Sequence, residues 1–265
     1  MPIWLYENSP LLTALMLFAF IEAVSLTGLL LTRRFVTPRL RYSAGVNDAV
    51  SGTVQAIGVF YGITVGLIAV AVWNTNSNAA EMVSKEAASV GALYRDVGGY
   101  PEPSRGKLRE GLRDYTVFVI EQAWPAQKKG QGQTIGGGAK ILDEFQAKLY
   151  AFEPATEGQA ALHRETLGAY NRLLEYRRLR IDAVGAGLSA VMWAVIWMGA
   201  AMSIGVAYFF EIEDPKLHAI LVALMGGFLA VVLFMIIIND KPFYGHNSIS
   251  PDPYKLILEM VIDRP

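Results

Sequence analysis

The chain has 265 residues, 53% of them hydrophobic and 18% charged, where a soluble domain carries about 25% charged residues. A formal net charge of −1 supplies no basic face for nucleic acid, and the absence of cysteine excludes disulfides, thiol catalysis and thiolate-held zinc or iron–sulfur sites. His163, His218 and His246 lie far apart with no ligand spacing, so neither a metal nor a cofactor is expected.

The first apolar run, residues 11–32, is long enough to cross a bilayer. No basic leader precedes it and it exceeds a signal-peptide core, so it reads as a retained span. Trp4 and Tyr6 stand before it as interface-seeking aromatics. Glu22, near its centre, is the one formal charge inside any span, where insertion costs about 2.5–3.5 kcal/mol. Two readings follow. Either the carboxyl is protonated or hydrogen-bonded to Ser25, Thr64 or Tyr61, or it faces a water-filled path and serves proton-coupled transport.

The loop that follows holds Arg33, Arg34, Arg39 and Arg41, the usual signature of a cytoplasmic loop. The second span, residues 53–73, lies in a stretch with no charge between Asp48 and Glu81. Gly58, Gly62 and Gly66 form a small-xxx-small stripe on one face, which suits packing within the chain, a subunit interface or a pore-lining ring. Past Trp73, the residues Val83, Ala87, Val90, Tyr94 and Val97 keep helical spacing, so the helix is expected to run on, reaching a length of roughly 65 Å. Gly98, Gly99, Pro101 and Pro103 end it.

A second amphipathic helix, residues 104–124, aligns Leu108, Leu112, Tyr115 and Val119 before Pro125. The stretch KKGQGQTIGGG lacks the P-loop pattern and reads as a linker. Ile141, Leu142, Phe145, Leu149 and Phe152 mark a third helix. Thr156 and Gln159 make a capping box for a fourth, which carries Leu162, Tyr170, Leu173 and Leu174 and runs on toward the third span. In its last turns, EYRRLRID, Glu175 and Arg178 stand at i,i+3 and Arg178 and Asp182 at i,i+4, the spacing of local ion pairs. Arg177, Arg178 and Arg180 are then either a solvated face or an arginine ring that collects anions near a pore mouth. With Arg164, Arg172, Lys241 and Lys255 they offset the arginines of the first loop, so charge balance assigns no side to the insert.

The third and fourth spans are residues 184–210 and 217–238. Ala190, Ala194, Ala201 and Gly205 repeat the small-residue device, and Gly226-Gly227 suggests a bend in the fourth. The expected fold is all-α: a polytopic membrane protein with a first hairpin (1–73), a helical soluble insert (74–183), a second hairpin (184–238) and a tail (239–265). No triad, nucleotide loop or paired carboxylates on one helix face emerges, so enzymatic activity has no support. The setting is the cell (inner) membrane, with the lipid bilayer as partner.

The phrases NDAVSGTVQAIGVFYG, AAEMVSKEAASVGALYRDV, EQAWP, YRRLRID and DKPFYG together resemble a bacterial family of bestrophin-like integral membrane proteins. That family is in turn similar to the bestrophins, pentameric anion channels gated by calcium, in its order of two spans, helical insert, two spans and a Pro-Phe-Gly type turn. Here the turn is Asp240, Pro242, Phe243, Tyr244 and Gly245, with one residue inserted. His246, Asn247 and Ser248 stand where bestrophins carry acidic calcium ligands, so calcium gating is not implied. The resemblance implies a homo-oligomeric channel for inorganic ions, more specifically anions, with a cytoplasmic insert and a pore lined by the second span. Phe60 and Tyr61 are then candidates for a hydrophobic constriction, or else aromatic packing between helices. A non-conducting interaction, assembly or sensory protein is the competing expectation.

Overall fold

The computed structural model describes residues 4–40, 45–131 and 136–263; Arg41 and the middle of the glycine-rich stretch, residues 132–135, lie outside the described residues. Among the described residues every regular element is helical, and four helices are long and apolar enough to cross a membrane. A short α1 (Trp4–Glu7) precedes α2 (Pro10–Leu31). Pro10 occupies the first turn of α2, where a missing N–H is harmless, and the Ser9 hydroxyl accepts the Leu12 N–H at 3.3 Å.

The helix α3 (Val46–Asp96) runs 51 residues without interruption. Its sequence has no proline, and polar NTNSN breaks the apolar run without breaking the backbone ladder. α4 (Ser104–Phe118) and α5 (Trp124–Lys128) are joined by a π-helical turn at Val119–Ala123. α6 (Gly137–Tyr150) begins inside the stretch expected to be linker. A Cβ on Gly137 or Gly138 would come within 2.6 or 3.0 Å of the Phe118 ring, so these glycines let α6 approach α4 closely. α7 (Glu157–Val184) opens on the expected capping box: the Thr156 hydroxyl accepts the Gln159 N–H at 3.2 Å, and the Gln159 side chain accepts the Ala155 N–H at 2.8 Å.

The fourth helix of the insert does not run continuously into the third span. α7 stops at Val184, and α8 (Ala190–Ala207) restarts with Ser189 as its N-cap, its hydroxyl accepting the Met192 N–H at 3.3 Å. Gly185 and Gly187, poor helix formers beside a strong cap, explain the break. α9 (Pro215–Asp240) and α10 (Asp252–Ile257) follow, and a π-helical turn, Leu258–Ile262, continues α10.

These helices form two compact units. The first gathers α1, α2, the N-terminal part of α3 up to Asn74, α8 and α9. Thr13, Leu17, Ile21, Ser25 and Leu29, buried at strict four-residue spacing on α2, lie along α9, where Val222, Gly226, Leu229, Leu233 and Ile236 are buried. Polar clamps close this unit at both ends. Asp240 is buried and accepts the Tyr6 hydroxyl at 2.8 Å and the Leu188 N–H at 2.6 Å. At the other end, His218, 2% exposed, donates from Nε2 to the Ala207 carbonyl at 3.0 Å. Its Nδ1 is thereby an acceptor, and Arg33 Nη1 reaches it at 3.4 Å while Nη2 donates to the Ile212 carbonyl at 3.3 Å. Asn47 adds a pair of hydrogen bonds to the Glu211 backbone, donating to its carbonyl at 3.0 Å and accepting its N–H at 2.8 Å.

The second unit runs from Thr75 to Ala186 and takes in the chain after Lys241. Its core joins Val83, Val90, Leu93, Leu108, Leu112, Phe145 and Leu173 with Phe243, Tyr254 and Ile262 from the tail.

Candidate functional site

The membrane stretch of α3 buries only Val65, Ala69 and Val72, with Val54, Ile57, Tyr61 and Ile68 half-buried, and leaves most of its circumference open. Only 17% of its most apolar window is buried, against 39% for α9. A Cβ on Gly58, Gly62 or Gly66 would meet no atom within 4 Å, so, of the three readings of the stripe, close packing against another helix of the same chain is not what the structure shows. The stripe lines an apolar groove of ≈ 340 Å³ together with Val65 and Ala69, Ser203 of α8, and Met225, Phe228, Val232 and Met235 of α9.

The two aromatics at the middle of this helix part company. Phe60 is 74% exposed. Tyr61 lies against α8: its ring covers Gly199 so tightly that a Cβ there would clash, and its hydroxyl donates to the Ile196 carbonyl at 3.2 Å. Substituting Gly199→Ala is therefore expected to lower thermal stability, by about 1–3 kcal/mol as overpacking does. Thermal unfolding of the purified chain in detergent checks this, and an unchanged midpoint would contradict the contact.

Glu22 finds none of the three hydroxyls named for it. Ser25 donates to the Ile21 carbonyl at 2.7 Å, Thr64 to the Phe60 carbonyl at 2.8 Å, and Tyr61 to Ile196. Its Oε1 is buried with no hydrogen-bond partner. The pair Gly226-Gly227 does not interrupt α9; it makes room for this carboxyl. A Cβ on Gly226 would lie 3.4 Å from Glu22 Oε1 and 2.9 Å from Ser25 Oγ, and one on Gly227 would lie 3.2 Å from Oε1.

In the second unit the arginines separate as well. Arg180 is 2% exposed and grips Glu86 with both arms of its fork, Nε to Oε2 at 2.6 Å and Nη2 to Oε1 at 3.3 Å. The Tyr115 hydroxyl donates to the same carboxylate at 2.5 Å. Burial pulls the Arg180 guanidinium down, but Glu86, with Tyr254 and Tyr115 beside it, outweighs that and holds it well above its ordinary value. Burial, then the Glu86 carboxylate, push the Tyr115 phenol up, so it stays a neutral donor. Arg180 is thus a buried structural cation. Arg177 is half-buried and Arg178 exposed. Neither Glu175–Arg178 nor Arg178–Asp182 closes as an ion pair; among the described residues the partner of this basic segment is Glu86, 94 positions away.

The Pro242 to Gly245 part of the turn anchors on this centre. Phe243 meets the Trp124 indole edge-on with ring centroids 5.8 Å apart, and Trp124 Nε1 donates to the Ile249 carbonyl at 2.9 Å. Pro242 accepts the Ile249 N–H at 2.8 Å, and Gly245 adopts φ 71°, a left-handed geometry that favours glycine. Arg180 in turn lies over the Trp124 ring, 5.7 Å from its centroid. Glu86, Trp124, Arg180 and Phe243 come from four of the five phrases that carry the family resemblance, and all four meet here. No group of three or more metal-ligating side chains occurs among the described residues.

A family model for the Bestrophin-like domain matches residues 19–254. No curated protein matches the chain by sequence. Among solved structures, a point variant of a membrane protein aligns with a TM-score of 0.65 at 8% identity, covering 95% of this chain and 99% of that one. A point variant of a bacterial bestrophin homolog from Klebsiella pneumoniae aligns with a TM-score of 0.64 at 9% identity, covering 93% and 98%. At such identities the likeness is one of fold.

Proposed function

This chain belongs to the bestrophin-like family, and on that premise we propose that it is an anion-selective ion channel, built from several copies, whose pore is lined by α3. Family and fold support an ion channel of the bestrophin type. The observation that carries the finer reading is the open glycine face of α3, uncharged from Asp48 to Glu81 yet left uncovered by its own chain. An isolated span exposing such a stripe has no packing reason for its glycines; a neighbouring copy or a narrow conduit supplies one. Phe60 is the constriction residue, since it projects from α3 while Tyr61 is committed to α8. An apolar ring of that kind gates by excluding water. Arg177 and Arg178 are the side chains that draw anions toward the conduit; Arg180 is withdrawn from that role by Glu86.

The natural absence of cysteine gives a direct test. Purified protein reconstituted in planar bilayers is expected to carry chloride current. A Phe60→Cys chain should conduct more than the parent and be blocked by a charged thiol reagent, while Leu30→Cys on the exposed flank of α2 should not respond. A monomeric chain with no current, or a block at Leu30→Cys equal to that at Phe60→Cys, would sink the assignment.

A further inference from the structure

We propose that Glu22 is a proton-binding site within the membrane: an exchangeable carboxyl group, separate from the pore assigned to α3, whose ligand is the proton itself. The site is built from two helices. α2 contributes Glu22, with Phe18 and Ser25 one turn to either side, and α9 contributes Gly226-Gly227, which leaves the space the carboxyl fills. Glu22 is half-buried; its Oε1 is buried and has no donor, because the Ser25 hydroxyl beside it is turned to the Ile21 carbonyl.

No countercharge stands in reach from any packed element. The α3 stretch is uncharged from Asp48 to Glu81 and α8 is free of charge between Asp182 and Glu211. On α9 the one titratable group in the apolar stretch is His218, two turns or roughly 12 Å along the helix from Gly226 and engaged by Ala207 and Arg33. On α2 itself the nearest charges are Glu7 before its start and Arg33 after its end. An ionised carboxylate here has neither a cation nor a hydrogen-bond donor to offset its transfer from water, and membrane interiors reserve such groups for ion and proton pathways.

A metal cation fits poorly. Hard cations take about six oxygen ligands, and the side-chain oxygens at this pocket are those of Glu22 and Ser25. A proton needs one carboxyl oxygen and a small space, which is what the diglycine provides.

The test uses the full chain in lipid vesicles and dicyclohexylcarbodiimide, an apolar reagent that enters from the membrane. It adds to a protonated carboxyl: the carboxyl oxygen bonds the central carbon, the acid proton moves to a nitrogen, and an oxygen-to-nitrogen acyl shift gives a stable N-acylurea with no leaving group. Peptide mapping is expected to find the adduct on Glu22, formed more slowly as pH rises, unaffected by exchanging potassium for sodium, and lost in Glu22→Gln. Because mapping of the unmodified sequence already locates the adduct, the result stands even if Glu22→Gln folds poorly. Labelling of surface carboxyls but not Glu22, a rate indifferent to pH, or protection by sodium at constant pH would each overturn the proposal. Conduction is not read in this experiment, so its outcome is independent of the channel assignment.

Discussion

Replacing Arg180 with leucine is expected to destabilise the inserted unit by about 3–5 kcal/mol, the usual result of stranding one member of a buried ion pair. Glu86 would keep the Tyr115 hydroxyl as its remaining donor, in a site where both Glu86 and Arg180 are almost fully buried. The opposite experiment separates the penalty of an unpaired charge from the worth of the pair. Glu86→Leu combined with Arg180→Leu removes both charges, and Tyr115→Phe removes the hydroxyl that would then lack its acceptor. This triple chain should recover most of the lost stability, since apolar replacements of buried pairs are often neutral. Hydrogen exchange of the Val90 to Leu93 amides reads the unit directly. A single-mutant loss no larger than an exposed helical pair gives would show that the centre is hydrated and weak. On the alkaline side the sign is fixed: Arg180 is held above its ordinary value, so its contribution is complete below that ordinary value and is lost only as pH rises through the still higher folded one. Unfolding midpoints should therefore show no alkaline loss from this group between pH 7 and pH of about 10.

This centre also marks where sequence reasoning reaches and where it stops. The spans are legible because the bilayer imposes a one-dimensional rule: about 20 residues of helix without charge. Continuous α3 follows from helical spacing that resumes at Val83, Ala87, Val90 and Val97 beyond a polar patch that holds no helix breaker. The pairing of Glu86 with Arg180 is not local, so no spacing rule reports it. A signal was present on each helix separately. Glu86 falls on the α3 stripe between Val83 and Val90, and Arg180 falls seven residues after Leu173 and four before Val184 on the buried face of α7. A charge on an apolar stripe needs a partner from elsewhere, and two opposite charges so placed in one unit suggest each other. Local spacing offers Arg178 the carboxylates of Glu175 and Asp182 on its own helix, yet Arg178 stays exposed and it is Arg180, on the buried face, that pairs with Glu86. The break between α7 and α8 was similarly written in Gly185, Gly187 and Ser189, but the apolar run from Val184 masked it.

Filling the glycine stripe is the second large perturbation. Gly62→Leu should leave the fold of the single chain unchanged, because a Cβ at Gly62 meets nothing within 4 Å, and should dissociate the assembly and abolish its current. The substitution cannot act by weakening α3: glycine is about 0.8–1.0 kcal/mol poorer than alanine within a helix, and leucine is close to alanine. An intact, even stiffer helix that no longer assembles is therefore the diagnostic combination. Small-xxx-small faces act by letting backbones approach, and a leucine at the middle of the repeat holds them apart. Native mass spectrometry in mild detergent reads the number of copies, and Leu30→Ala on α2, also exposed to the membrane, serves as the comparison expected to keep it. If Gly62→Leu keeps both copy number and current, neither a subunit contact nor a pore lining explains why three glycines stand at four-residue intervals on a span with so little of its surface covered.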